Sequence, residues 1–216
     1  IILSVGTILI NEVLYDPAGS DAGYEWIELY NPSGEDVPLS DWRIEVAGTT
    51  FKPAATLSDA VKSKEFFLVC EQFVSGCDLY VEKLGFQNGG GATDGIQILN
   101  HENTVVDALF YDSPNSNSLI GETGGVVASE NTAPVAPSGG SLGRKSLIDT
   151  NNYAADFIAY STPTPKLPNF SVAEKEELDP AGSNPLFYIA IFLFFILLKY
   201  SARLLKHYNF TKNSNG

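Results

Sequence analysis

Methionine is absent from these 216 residues. The chain is therefore expected to be processed, or a piece of a longer one. Ile1–Gly6 reads either as a signal-peptide remnant, from the small-x-small pattern Ser4-Val5-Gly6, or as the start of a first strand. Cysteine occurs only at Cys70 and Cys77, and histidine only at His101 and His207. Six residues between the cysteines are too many for a CxxC pair, and with only two histidines the pattern does not point to a Cys/His zinc site. Two readings of the cysteines stay open. They are small buried or loop residues, or they form a local disulfide, which suits a domain outside the cell. No GxSxG pattern accompanies either histidine, so nucleophilic hydrolase chemistry finds no support.

No acid follows Asp179. The chain up to Ser183 holds all 26 acidic residues and nine of the 13 basic ones, a net charge of −17. Such a body lacks the basic footprint of unaided DNA or RNA binding, so no nucleic acid is expected as partner. Beyond it, Lys199, Arg203, Lys206 and Lys212 stand unopposed behind the apolar run Leu186–Leu198. Extended to Leu205, that run is 20 residues, about 30 Å as a helix and enough for a bilayer core. The sign change across it places the basic end in the cytoplasm and the acidic domain outside.

The acidic body keeps no long helical period. Thr7–Tyr15, Glu25–Tyr30, Trp42–Val46, Lys64–Cys70, Gly95–Leu99 and Thr104–Tyr111 read as short strands punctuated by Gly, Pro, Asn and Asp. The last two flank "NHENT", a hairpin turn. Asp112–Ser141 is rich in Ser, Asn, Gly and Pro and reads as a long loop, either functional or mobile. Structure is expected again at Ser141–Arg144 and near Asp156–Ala159. The class is all-β, a sandwich or barrel. "NGGGATDG" (Asn88–Gly95) leads into a strand rather than a helix, so it reads as a turn and not a phosphate cradle.

Carboxylates interrupt the strand patterns: Glu12 among Ile8, Ile10 and Leu14, and Glu25 and Glu28 around Trp26, Ile27 and Leu29. Paired acids run glycoside hydrolysis in other proteins, but a chain this acidic brings acids together by chance. Asp16, Asp21, Asp36 and Asp41 lie in loops, where hard oxygen ligands suit calcium. Asp16 and Asp21 are the calcium candidates, without EF-hand spacing. At least one of Glu12 and Glu28 is expected to bond with Arg144, Arg43 or backbone N–H groups, since a carboxylate is costly to bury alone.

The stretch "ILINEVLYDPAGSDAGYEWIELYNPSGEDVPLSDWRI" resembles the opening of the lamin tail domain. It has a strand ending in Asn-Glu-Val, a loop with Asp-Pro, then Glu-x-x-Glu-Leu-x-Asn-Pro, and Leu-Ser-x-Trp at Leu39, Ser40 and Trp42. "EFFLVC", "DGIQILNHENTVVDALFYD" and "SLGRKSLIDTNNYAADFIAYSTPTPKLPN" resemble its later strands and closing segment, so the likeness runs from Thr7 to Asn169. It implies an immunoglobulin-like β-sandwich without catalytic activity, in which Glu12, Glu25, Glu28 and Asn31 are structural. Nuclear lamins carry a coiled-coil rod, and this chain carries an apolar tail instead. It looks more like secreted or surface-attached prokaryotic members, and chromatin roles are not carried over.

The expected organisation is a lamin-tail-like sandwich over 7–169, a linker over 170–184, a transmembrane helix over 185–205 and a cytoplasmic tail over 206–216. The tail is expected to serve as a permanent anchor or as a sorting signal removed after export. The expected function is a non-catalytic surface module that binds an extracellular protein or polysaccharide. The alternatives are an accessory or substrate-binding module of a surface hydrolase of nuclease or phosphoesterase type, and a calcium-binding sandwich. Apart from calcium in that last reading, no cofactor is expected. The residues expected to matter structurally are Glu12, Glu25, Glu28, Asn31, Trp42 and Arg144.

Overall fold

In Trp26–Tyr30 (β2), Ile27 and Leu29 point to one face while Trp26, Glu28 and Tyr30 point to the other, as strand geometry requires. All five are buried. A strand buried on both sides needs cover on both sides, and the computed structural model, described over residues 8–89 and 91–169, shows two different covers.

Six strands form the first sheet: Leu9–Leu14 (β1), β2, Phe66–Cys70 (β7), Leu79–Tyr80 (β8), Ser141–Arg144 (β11) and Phe157–Tyr160 (β12). Their order is β12-β11-β1-β2-β7-β8. The second sheet holds Arg43–Ala47 (β4), Lys52–Thr56 (β5), Asp94–Leu99 (β9) and Val105–Tyr111 (β10), in the order β10-β9-β4-β5. Val37–Pro38 (β3) and Ala60–Val61 (β6) make a small separate ladder. Among the described residues, every pairing between these strands is antiparallel except β7 with β8. The two large sheets are arranged as a sandwich, consistent with an immunoglobulin-like fold.

The inner cover is the second sheet. Ile10, Val13, Ile27, Leu29, Phe67, Val69 and Leu142 from one sheet share a core with Ile44, Ile96, Ile98 and Leu109 from the other. Each such side chain contributes about 1.5–3 kcal/mol over leaving it in water. On the outer face Leu14, Trp26, Leu68 and Cys70 form a second, smaller cluster. The segment after β12 also packs on this face. Gly143 on β11 shows how closely: a Cβ there would lie 2.6 Å from the Tyr160 ring and 2.9 Å from Asn169 Nδ2.

Strands β1 and β10 each carry a bulge. Register shifts between Ile10 and Glu12 in β1, and between Val105 and Asp107 in β10. A bulge breaks the ladder and re-aims side chains, leaving backbone groups to be satisfied elsewhere.

The loop from Asp112 to Ser141 is anchored rather than loose. Leu119, Val127, Ala133 and Ala136 reach the main core, and Asn115 ties Leu119 and Val127 through their backbones. A short helix, Tyr153–Asp156 (α1), leads into β12, with Asn152 capping Ala155. The expected linker over 170–184, membrane helix over 185–205 and tail over 206–216 lie outside the described residues, as does Ile1–Gly6. Among the described residues no helix is long and apolar enough to cross a membrane.

Candidate functional site

Glu12 and Glu28 are directly opposed on β1 and β2. Both are fully buried on the outer face. Like charges facing across a ladder are unfavourable, so donors must be supplied. The closing segment supplies them. Thr164 donates to Glu12 through its backbone N–H (2.9 Å) and its hydroxyl (3.0 Å), and Ser141 Oγ donates at 2.5 Å. Glu28 accepts from Asn11 Nδ2 at 2.7 Å and from the Lys166 backbone N–H. Asn169 Nδ2 then donates to the Asn11 carbonyl at 2.8 Å. The pair is thus a clasp that fastens residues 164–169 across the sheet. Burial raises the pKa of both acids, Glu28 to about 7, and the Glu12 charge adds to the rise at Glu28.

Glu25 does similar work just before β2. It accepts from the Gly85 and Phe86 N–H groups at 2.7 and 3.1 Å. Glu71, also buried, accepts from Gly23 and Leu84 N–H groups at 2.6 and 2.7 Å. Burial lifts the Glu25 pKa to about 7, with the neighbouring Glu71 charge contributing. Together these acids hold the 83–87 loop and the 21–25 turn. Gly23 sits at φ 92°, a conformation that favours glycine, and the Phe73 ring packs against the place where a Cβ would be. Phe73 belongs to the loop closed by a Cys70–Cys77 disulfide, with Cα atoms 6.0 Å apart. Closing so short a loop stabilises by about 2–3 kcal/mol in the chain-entropy account.

Arg144 does not neutralise the strand glutamates. Its guanidinium turns inward from β11 and bridges the sheets. Nη2 donates to both Asp107 oxygens on β10, at 3.0 and 2.8 Å. Nη1 reaches Asp156 at 3.3 Å and Asp149 at 3.4 Å, and the group lies 4.6 Å from the centre of the Phe157 ring. The two bulges complete the arrangement. The Ile10 N–H donates to Asp107, and the Ile10 carbonyl accepts from Arg144 Nε at 2.9 Å. Burial opposes the Arg144 charge, but Asp107, Asp149 and Asp156 outweigh it and raise its pKa.

Asn31 holds the Asn-Pro-Ser-Gly turn. Its Nδ2 donates to the Glu35 and Val61 carbonyls, and its Oδ1 accepts from the Ser33 N–H and hydroxyl. Trp42 is a core residue, with its backbone bonded to Leu39 and Leu57. Arg43 pairs with Glu45 at 2.7 Å at the rim. The calcium candidates Asp16 and Asp21 both accept from the Asn88 amide, at 3.4 and 3.3 Å. Among the described residues, Asp107, Glu122 and Asp149 form the acid group tight enough for a metal. There Arg144 already supplies the positive charge.

The sequence by itself assigns no bonding role to Asp107, Glu71, Asn11, Asp156 or Asn169. Asp107 carried a readable signal, since it interrupts the apolar run Val105–Tyr111 as Glu12 interrupts β1.

The Lamin Tail Domain family model matches residues 3–113, just over half of the chain. None of the curated proteins matches. The matched stretch includes both members of the Glu12–Glu28 clasp and ends after β10. Strands β11, which carries Arg144, and β12 complete the six-stranded sheet from beyond it. Lamin tail domains are immunoglobulin-like and generally non-enzymatic, and with the family match and the sandwich both in hand, this chain belongs to the lamin tail domain family.

Proposed function

We propose that the chain is a membrane-anchored surface module of the kind found in prokaryotes, whose acidic domain is presented outside the cell to bind a protein or polysaccharide. One observation carries the topology: the change from −17 to an acid-free basic end across Leu186–Leu205. The non-catalytic part draws on family membership and on the use made of the acids. Glu12, Glu25, Glu28 and Asp107 each accept bonds that fasten one segment to another.

The anchor is tested by fractionation. Expressed with a signal peptide, the full chain is expected to sediment with membranes and to resist carbonate extraction. A chain ending at Ser183 is expected in the soluble fraction. A full-length, uncleaved chain found in the soluble fraction would remove the anchor from this reading.

A further inference from the structure

One end of the outer sheet face holds a groove of about 370 Å³ lined by Tyr30, Phe66, Leu147, Pro168, Lys64 and Lys145 among others. Tyr30 and Phe66 are register partners on β2 and β7, and their rings lie 5.0 Å apart on the floor. Leu147 and Pro168 extend the apolar lining. The two lysines distinguish this groove in an otherwise acidic domain. Lys64 Nζ donates to the Pro32 carbonyl and Lys145 Nζ to the Ala154 carbonyl. Among the described residues neither forms a salt bridge.

Their spacing is set by the sheet. Lys145 follows β11 and Lys64 precedes β7, with β1 and β2 between those strands. Three inter-strand steps of about 4.8 Å put the two positions about 14 Å apart, the length of about four extended residues. A single inorganic anion cannot span that distance, and a fatty carboxylate carries charge at one end only.

We propose that this groove binds an extended acidic peptide, with an aromatic or aliphatic residue on the Tyr30–Phe66 floor and a carboxylate at each lysine. An extended peptide lying across these strands turns alternate side chains toward the floor, so an apolar residue there has side chains facing the same way two positions before and two after it. The inference goes beyond the surface-module reading and does not depend on the anchor, because the groove lies wholly within the described domain.

The test is selection from a random-peptide phage library on the purified full chain. Enriched peptides are expected to place Asp or Glu on both sides of an apolar residue, about four positions apart. One such peptide, synthesised with a fluorophore, is expected to bind at least about tenfold more weakly to Lys64→Glu/Lys145→Glu. Both lysines are exposed, so the melting temperature of that variant is expected to stay near the wild-type value. Phe66→Leu, which keeps an apolar floor but removes the ring pair, is expected to weaken binding less. No enrichment, or enrichment insensitive to the charge reversal, overturns the proposal. Binding of phosphatidylglycerol-containing vesicles, lost on the same reversal and with no peptide enriched, would make it a lipid site instead.

Discussion

Arg144→Ala is expected to lower the melting temperature of the domain by roughly 6–20 °C. The substitution leaves Asp107 and Asp156 buried without their shared cation, and breaking a buried pair in this way costs about 3–5 kcal/mol. In a domain of this size each kcal/mol moves the midpoint by about 2–4 °C. Arg144→Lys is expected to recover little, because a single ammonium cannot fork to both Asp107 oxygens and also bond the Ile10 carbonyl. The double change Arg144→Met/Asp107→Leu separates two accounts. Apolar replacement of a buried ion pair is often neutral when the pair is the whole story. Here the Ile10 N–H and carbonyl, freed by the β1 bulge, would lose both partners. Only partial recovery is therefore expected. Full recovery in calorimetry would show that the pair does not serve the bulge.

The second large effect belongs to the clasp. Glu28→Ala removes the acceptor of the Asn11 amide and of the Lys166 N–H, and each buried donor left unmade costs about 1–3 kcal/mol. The closing segment is expected to become cleavable near Lys166 under limited trypsin treatment, while the wild-type site resists. The pH dependence follows from the sign of the shift. Burial raises the Glu28 pKa from 4.5 to about 7. Below pH 4.5 the carboxyl is protonated in both folded and unfolded chains. Between pH 4.5 and 7 the folded state keeps a proton that the unfolded chain releases, so stability falls as pH rises, and it levels off above 7. Glu28→Gln removes this contribution. The variant should be the weaker at pH 5, since its amide nitrogen cannot accept from either donor. Its deficit should shrink by on the order of 2 kcal/mol by pH 8. A deficit constant across that window would mean that Glu28 is ionised throughout.

The main strands were legible because their side chains alternate or run apolar, and Gly, Pro and Asn mark the turns. The short additions were not. Lys52–Thr56 carries Pro53 and two alanines, with little β preference of its own, and becomes a strand by pairing with β4. β3, β6 and β8 have two residues each, too few for a period. The oddity of the strand acids was plain in the sequence, but their partners were not. Thr164 lies 152 residues from Glu12, and Arg144 lies 37 from Asp107. Charge alone offered Arg144 to any acid. The choice of Asp107 depends on two bulges and on β11 entering the sheet beside β1, which local pattern does not encode. The 112–141 loop was legible as loop, but its anchoring depends on scattered Leu119, Val127 and Ala133, which have no periodic signature.

The claim at the centre of this account is that the acids of this domain, the rim aspartates included, fasten segments of the fold and do not serve a metal. Differential scanning calorimetry of the full chain with calcium and with chelator, on wild type and Asp16→Ala, tests it most directly. Asp16 and Asp21 share only the Asn88 amide at the rim, so calcium is expected to leave both midpoints unchanged. A calcium-dependent rise in the wild type that Asp16→Ala abolishes would contradict the account and make the acidic loops a metal site.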